Sequence, residues 1–549
     1  MRRMRLGEIS KMRKTFLLLI MMTSPCFGQG ACPAGTPISG MNCFFVSANG
    51  ADTNNGTSES TPWLHAPGMP NCSDVCAGNY PAAGSGYIFR GGDTWHWGTG
   101  TSLIGGQWNW NWSGSSGSPI YIGVDLTWYS GNSWSRPILN MDNLPSTSFV
   151  SNCSYDDAQL TPFSLNNVNY VTVDNFEFTG MCVASNPVYG SAVYFYRAGT
   201  YIQIENCYFH GWTEVQATGN DYITMISGDA GAKASNNIVG PGNVIDGSDS
   251  HCAGVYDCTG LVLYADAYDV HDNVFRWVAN GLNTPGNVSV VHDNLFEYIY
   301  ESYDSSVHSG VIESNGGVTG QPISIYNNIF RNVNSGVTLW PESIQANTYI
   351  FNNIFYGIDN PQNCIVLDGQ GDSGIPINVY ITNNTFDSPC NVRFFDQHAG
   401  QEFNGAGLFQ NNYFIGYSTQ TLSSVYSLDD GVDATVTDNG DEVFQTESVA
   451  NGQGYTATAN YQPTSNSGAT VNAGGNLSAS CSMYSADSAL CNGTTGGVTN
   501  AVGTGTIPAL YIPSPSPRGS AWDVGAYESS SSASRPDPPT NLTGIVQVQ

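Results

Sequence analysis

Lys233 is the only lysine in the chain after residue 14. Set among Glu205, Asp269, His271 and His292, it would serve as a base for proton abstraction, provided its pKa is lowered. Between acidic neighbours alone it would instead be an exposed cation with a raised pKa. A second set comes from two long insertions, "DGSDSHCAGVYDC" (246–258) and "ESYDSSVHSGVIES" (301–314). Paired carboxylates there would serve hydrolysis by general acid and base, with His308 as the partner of Glu313. The alternation of Val311 and Glu313 turns Glu313 inward, and a buried carboxylate needs such a partner. Carboxylates spaced like Asp246, Asp249 and Asp257 would equally hold calcium. They also fit the solvated loops of an acidic protein. A third set, Trp340, Asp368, Arg393 and Asp396 with His398 just beyond, suits stacking on a sugar ring and polar contacts to its hydroxyls. It equally suits an ordinary surface.

Such residues act together only if something holds them together, and the chain carries a repeat that would. The stretch "ISIYNNIFRN" (323–332) recurs as "VTVDNFEF", "IQIENCYF", "AKASNNIV", "YDVHDNVF", "SVVHDNLF", "TYIFNNIF", "VYITNNTF", "GLFQNNYF" and "TVTDNGDEVF". With Asn328 as the anchor, the equivalent positions are 176, 207, 237, 273, 294, 353, 384, 412 and 439, at steps of 21 to 36 residues. Residues three and five before the anchor are mostly apolar, the alternation of a strand. The residue two after it is usually Phe. A second short strand lies upstream: "SAVYFY", "GLVLY", "GVIES", "GVTLW", "CIVLD", "NVRFF". Helical periodicity is absent, and the repeat is too short for propeller blades. The pattern therefore specifies an all-β solenoid, a parallel β-helix whose coils stack at about 4.8 Å. Asn tolerates left-handed backbone at a sharp corner, and stacked Asn side chains form hydrogen-bonded ladders.

These anchors give two outward columns. One reads Asp174, Glu205, Ser235, His271, His292, Tyr326, Phe351; the other reads Gln203, Lys233, Asp269, Val290, Ser324, Tyr349, Tyr380. Glu205, Lys233, Asp269, His271 and His292 are thereby expected on one face. An exposed aromatic strip of Tyr326, Tyr349, Phe351 and Tyr380 is expected to continue it as a substrate-binding surface.

The ends of the chain differ from the repeats. "CFFVSANGADTNNGTSESTPW" (43–63) and "GYIFRGGDTWHW" (86–97) precede them, and "AWDVGAYES" (521–529) follows. These segments resemble the pectate-lyase-like superfamily of right-handed, single-stranded parallel β-helix proteins over about residues 43–528. The resemblance implies that fold and a polysaccharide ligand. It also implies, for its lyases, proton abstraction beside a uronate carboxylate by Lys or Arg, often with calcium held by Asp or Glu. The polygalacturonase signatures and the "W-I-D-H" stretch of the largest pectate-lyase family are absent, so no catalytic set is carried over. No phosphate loop, dinucleotide fingerprint or nucleophile elbow occurs.

Arg13 and Lys14 before the apolar run 16–22, with the small residues Cys26 and Gly28 at the cleavage positions, read as a secretory signal. The run is too short to span a bilayer. Removing residues 1–28 leaves 9 basic against 43 acidic side chains. Such a surface repels nucleic acid and anionic lipid. Export permits disulfides, and proximity pairs Cys32–Cys43, Cys72–Cys76, Cys153–Cys182, Cys252–Cys258, Cys364–Cys390 and Cys481–Cys491. Cys207 is left over, at an anchor position where it would point into the stack. The expected organisation is a signal peptide (1–28), one β-helix domain (29–530) and a flexible Ser/Pro-rich tail (531–549). The expected function is a secreted lyase or hydrolase acting on an extracellular polysaccharide. The competing reading is a non-catalytic glycan-binding, adhesion or structural β-helix.

Overall fold

In a computed structural model the chain winds into a right-handed parallel β-helix. The structure describes residues 30–529, apart from short breaks and the stretches 98–105, 155–160, 215–221, 229–235, 251–258, 301–309, 315–321, 340–346, 369–376, 396–404, 429–434 and 495–514. Lys233, Asp257, His308 and Trp340 lie outside the described residues, as do the Cys252 and Cys258 pair, the leader and the tail.

Each coil between the two ends supplies one strand to each of three sheets. The opening stretch of the repeat is typical: Ile323–Tyr326 joins the first sheet, Ile329–Val333 the second and Val337–Leu339 the third. Among the described residues these sheets hold 14, 12 and 11 strands, parallel except where Gly30–Ala31 meets Asn42–Val46. The inward residues stack by type. Val270, Val291, Ile325, Ile350 and Ile381 form one buried column of the first sheet. In the second sheet Phe275, Phe296, Phe330, Phe355, Phe386, Phe414 and Phe444 stack with ring centroids 4.6–5.2 Å apart. Offset stacking of this kind adds to area burial.

The two residues of each Asn pair have separate tasks. The first takes the left-handed conformation that turns the corner: Asn327, Asn352, Asn383 and Asn411 have φ between 55° and 58°. The second is buried and forms a ladder. Asn243, Asn273, Asn294, Asn328, Asn353 and Asn384 each donate through Nδ2 to the next coil's Asn Oδ1 at 2.9–3.1 Å. The ladder ends on a carboxylate, for Glu442 accepts from the Asn412 amide (2.6 Å) and side chain (3.3 Å).

Two anchors therefore differ from the sequence alignment. The ladder residue of the third repeat is Asn243, not Asn237. Asn237 lies within a first-sheet strand and pairs with Tyr268. The last ladder position is Glu442 rather than Asn439, because Phe444 stacks on Phe414 two residues beyond it.

The disulfides Cys32–Cys43, Cys72–Cys76, Cys153–Cys182, Cys364–Cys390 and Cys481–Cys491 form as expected, and Cys207 is a buried free thiol. Beyond the last coil the chain folds back over the outside of the stack. Tyr484 packs on Tyr349, Phe351 and Tyr380, while Tyr455 and Tyr461 pack on Tyr413 and Tyr356. The buried Arg518 guanidinium locks this segment. It bonds Glu528 (2.9 Å), Asn352 Oδ1 (3.1 Å) and the carbonyls of Leu490 and Asp523.

Candidate functional site

The strand register of the first sheet builds the site. Asp174 pairs with Glu205, His271 with His292, and His292 with Tyr326. Between Glu205 and His271 comes the coil of Asn237–Val239, whose next residue is Gly240. A Cβ on Gly240 would fall 1.9 Å from the His271 carbonyl oxygen, and its φ is +131°. Only glycine fits, so the floor between Glu205 and His271 carries no side chain. In the neighbouring column Ile238 stands between Gln203 and Asp269, where the alignment placed Lys233. With the anchor shifted by six residues, that register position belongs to Ile238, and Lys233 lies outside the described residues. The other four members, Glu205, Asp269, His271 and His292, do share one face.

On one side of this floor lie two carboxyl groups. Asp174 is buried and accepts from Tyr121 Oη (2.5 Å), Asn175 Nδ2 (2.8 Å) and Asn206 Nδ2 (2.8 Å). Glu205 is half-buried and accepts from Gln203 Nε2 at 2.8 Å. Burial, and then the neighbouring Asp174, push the Glu205 carboxyl up to about 8. Burial raises Asp174 as well, against the pull of its three donors. The two carboxyls resist ionising together.

On the other side lies a histidine stack. His271, His292 and Tyr326 lie nearly parallel, with centroids 5.1 and 4.7 Å apart. His271 Nδ1 bonds Asp272 (2.8 Å); His292 Nδ1 bonds Asp293 (2.6 Å) and its Nε2 bonds Asp269 (2.9 Å). Burial draws the His292 pKa down, but its two carboxylate bonds outweigh this and hold it at about 10. His292 is therefore a cation at neutral pH. Burial raises Asp269, and the His292 bond more than offsets it, so Asp269 stays ionised below the usual carboxylate range. Asp269 remains 43% exposed. Asp272 and Asp293, which the sequence reading did not single out, bond the Nδ1 of His271 and of His292. The repeated His-Asp-Asn at 271–273 and 292–294 was the available signal.

The aromatic strip is not an open surface. Tyr326 is 2% and Tyr349 5% exposed, and Phe351 is fully buried. These side chains do point outward, but the folded-back C-terminal segment covers them. Tyr326 Oη donates to Asp487 at 2.9 Å, and Tyr380 packs between Tyr349 and Tyr484. A sugar would have to displace Tyr484 to reach them.

The loop carboxylates also separate. Asp246 is buried against Arg276 at 2.5 Å, whereas Asp249 bonds His210 Nδ1 (2.8 Å) and the Gly211 amide (2.9 Å). Glu177 bonds the other nitrogen of His210 at 3.2 Å. Burial opposes these two carboxylate bonds, which hold His210 at about 9. Among the described residues no three His, Cys, Asp or Glu side chains stand together as a metal site. Glu313 is 2% exposed, yet it does not point into the stack. Its neighbour Ile312 does, in line with Leu282 and Val337, and Glu313 shares the outer column with Thr338. Arg393 lies on the outer face of the third sheet, paired with Val366 and Ser427 and half-buried.

No protein-family model matches this chain, and neither does any curated protein. Several solved structures are similar to it. A GH136 lacto-N-biosidase from Eubacterium ramulus aligns with TM-score 0.37 and 14% identity, over 74% of this chain and 68% of that one. A mannuronic acid specific polysaccharide family 6 lyase from human gut microbiota gives TM-score 0.40 and 11% identity over 67% and 78%. The pectate lyase Pel9A gives TM-score 0.30 and 17% identity over 88% and 96%. At such values no residue role passes from them to this chain.

Proposed function

We propose that this protein is a secreted enzyme that hydrolyses an extracellular polysaccharide, with Glu205 as general acid and Asp269 as general base. The observation that carries this reading is the opposite protonation of two carboxyl groups on one face. Glu205 keeps its proton to about pH 8, while Asp269 is ionised and half-exposed. That division of labour is the one glycoside hydrolysis needs. The two groups stand on either side of the bare Gly240 coil, two coil steps and two residues along the strand apart, about 12 Å at the backbone. This leaves room for a sugar and an attacking water, the arrangement of an inverting hydrolase. Glu205 would protonate the departing glycosidic oxygen. Asp269 would accept a proton from the water, with His292 holding its orientation.

Elimination is the weaker reading. It needs a base strong enough to take a carbon-bound proton; His292 carries its proton at neutral pH, and the lowered pKa of Asp269 makes it a weak base. Incubation with a panel of polysaccharides separates the readings. Hydrolysis releases reducing ends without ultraviolet-absorbing unsaturated sugars, and Glu205→Gln should lower the rate by about 10²-fold or more. Unsaturated products, or unchanged activity in Glu205→Gln, would sink the proposal. Retention of a polymer without cleavage would instead support a binding protein.

A further inference from the structure

At the corner leaving the second sheet, one position can be followed through seven successive coils. Counting along the register it is held by Gly180, Gly211, Gly247, Trp277, Tyr298, Asn332 and Gly357. Most of these residues have positive φ, as the corner demands, and Trp277 (55°) and Tyr298 (53°) are no exception. Glycine and asparagine accept that conformation readily; bulky aromatics do not. At the backbone an aromatic is therefore costlier here than glycine or asparagine. The two rings stack on each other at 4.7 Å with planes 13° apart. Trp277 is 43% exposed, and Tyr300, two residues beyond Tyr298, is 37% exposed. The flanking positions hold Gly247, which has no side chain, and Asn332.

We infer that Trp277 and Tyr298, with Tyr300, form a carbohydrate-binding platform separate from the Glu205–Asp269 face, and that its ligand is an uncharged polysaccharide chain. Backbone strain held at an exposed site points to function rather than to stability. Adjacent stacked aromatic rings offer the apolar faces and edges on which the C–H faces of sugars pack. The chain's net charge of −29 disfavours a polyanion. The platform sits in the same two coils as His271 and His292, six residues downstream in each, across the second sheet. It would hold a polymer near the proposed active site without touching the reacting bond. The ligand class rests on the polysaccharide reading above; the existence of the platform does not.

The test is the double variant Trp277→Asn/Tyr298→Asn, which restores the residue type its neighbours use. It is made in both the wild-type and the Glu205→Gln backgrounds. Affinity gel electrophoresis with galactomannan, xyloglucan and arabinoxylan, and with polygalacturonate as the anionic probe, measures binding. The expected result is retardation of the parent by at least one neutral polymer and a fivefold or greater loss of that retardation in the double variant. The melting temperature should be unchanged or raised. Equal retardation of parent and variant, retardation by polygalacturonate alone, no retardation at all, or a lowered melting temperature would each overturn the platform. Because binding is read in the Glu205→Gln background, failure of the hydrolysis reading leaves this result interpretable.

Discussion

His292 carries a pH dependence that can be signed from its surroundings. Its pKa in the fold is about 10, against 6.5 for the free side chain. The folded state therefore binds the proton more tightly than the unfolded state. The stability this provides is fully present below pH 6.5 and is lost as pH rises toward 10. Asp269 behaves oppositely, since its lowered pKa gives stability that is lost only as pH falls into the acid range. We expect the wild-type melting temperature to fall more steeply between pH 7 and pH 10 than that of His292→Gln, measured by calorimetry at matched ionic strength. Parallel curves would mean that the two carboxylate bonds are not maintained in solution. Removing the charge-assisted bonds at neutral pH should cost about 2 kcal/mol.

The Asn ladder sets predictions at the level of the coil. Asn328→Ala leaves the Asn294 amide and side-chain donors without their acceptor, and the Val291 carbonyl without its donor, all of them buried. A loss of about 3 kcal/mol is expected, read as a shift in denaturation midpoint. Glu442 differs from the asparagines because it titrates. Burial, with Asp438 and Asp441 adding to it, raises its pKa well above that of a free glutamate. The proton it binds favours the fold at low pH, and that advantage fades as pH rises above 4.5. Glu442→Gln should therefore match the wild type near pH 4 and exceed its melting temperature near pH 8. The ladder is also why so much of the fold was legible: identical side chains must recur for the stack to form. Legibility failed where local resemblance replaced register. Asn236-Asn237 looks like a ladder corner, but Asn237–Val239 is a first-sheet strand, and the true corner at Gly242-Asn243 lacks the Asn pair. That single slip gave Lys233 the register position that Ile238 holds and hid Gly240, the residue that shapes the floor of the site.

Over the whole molecule, the C-terminal segment decides which outward residues meet solvent. Nothing in the periodicity of Tyr326, Tyr349 and Phe351 tells that residues 477–491, more than 100 positions later, will cover them. The cover has no repeat of its own and is held by contacts distant in sequence. Arg518 is central to it, a buried cation bonded to Glu528 and to Asn352 of the stack. Arg518→Ala leaves a buried carboxylate unpaired and should destabilise the segment by about 3–5 kcal/mol. Limited proteolysis should then cut within the C-terminal segment while the coils stay resistant, and an apolar dye should bind the uncovered tyrosines. Uniform loss of protection along the chain would show instead that cover and coils unfold as one unit. The ladder also bears on how such a chain changes length over generations. Every Asn offers a donor toward the C-terminus and an acceptor toward the N-terminus, so a duplicated coil between Asn243 and Asn412 finds both of its new neighbours already matched. Whole turns can be gained or lost in descent without inventing a new contact. Only Glu442, which accepts and passes nothing on, must always come last.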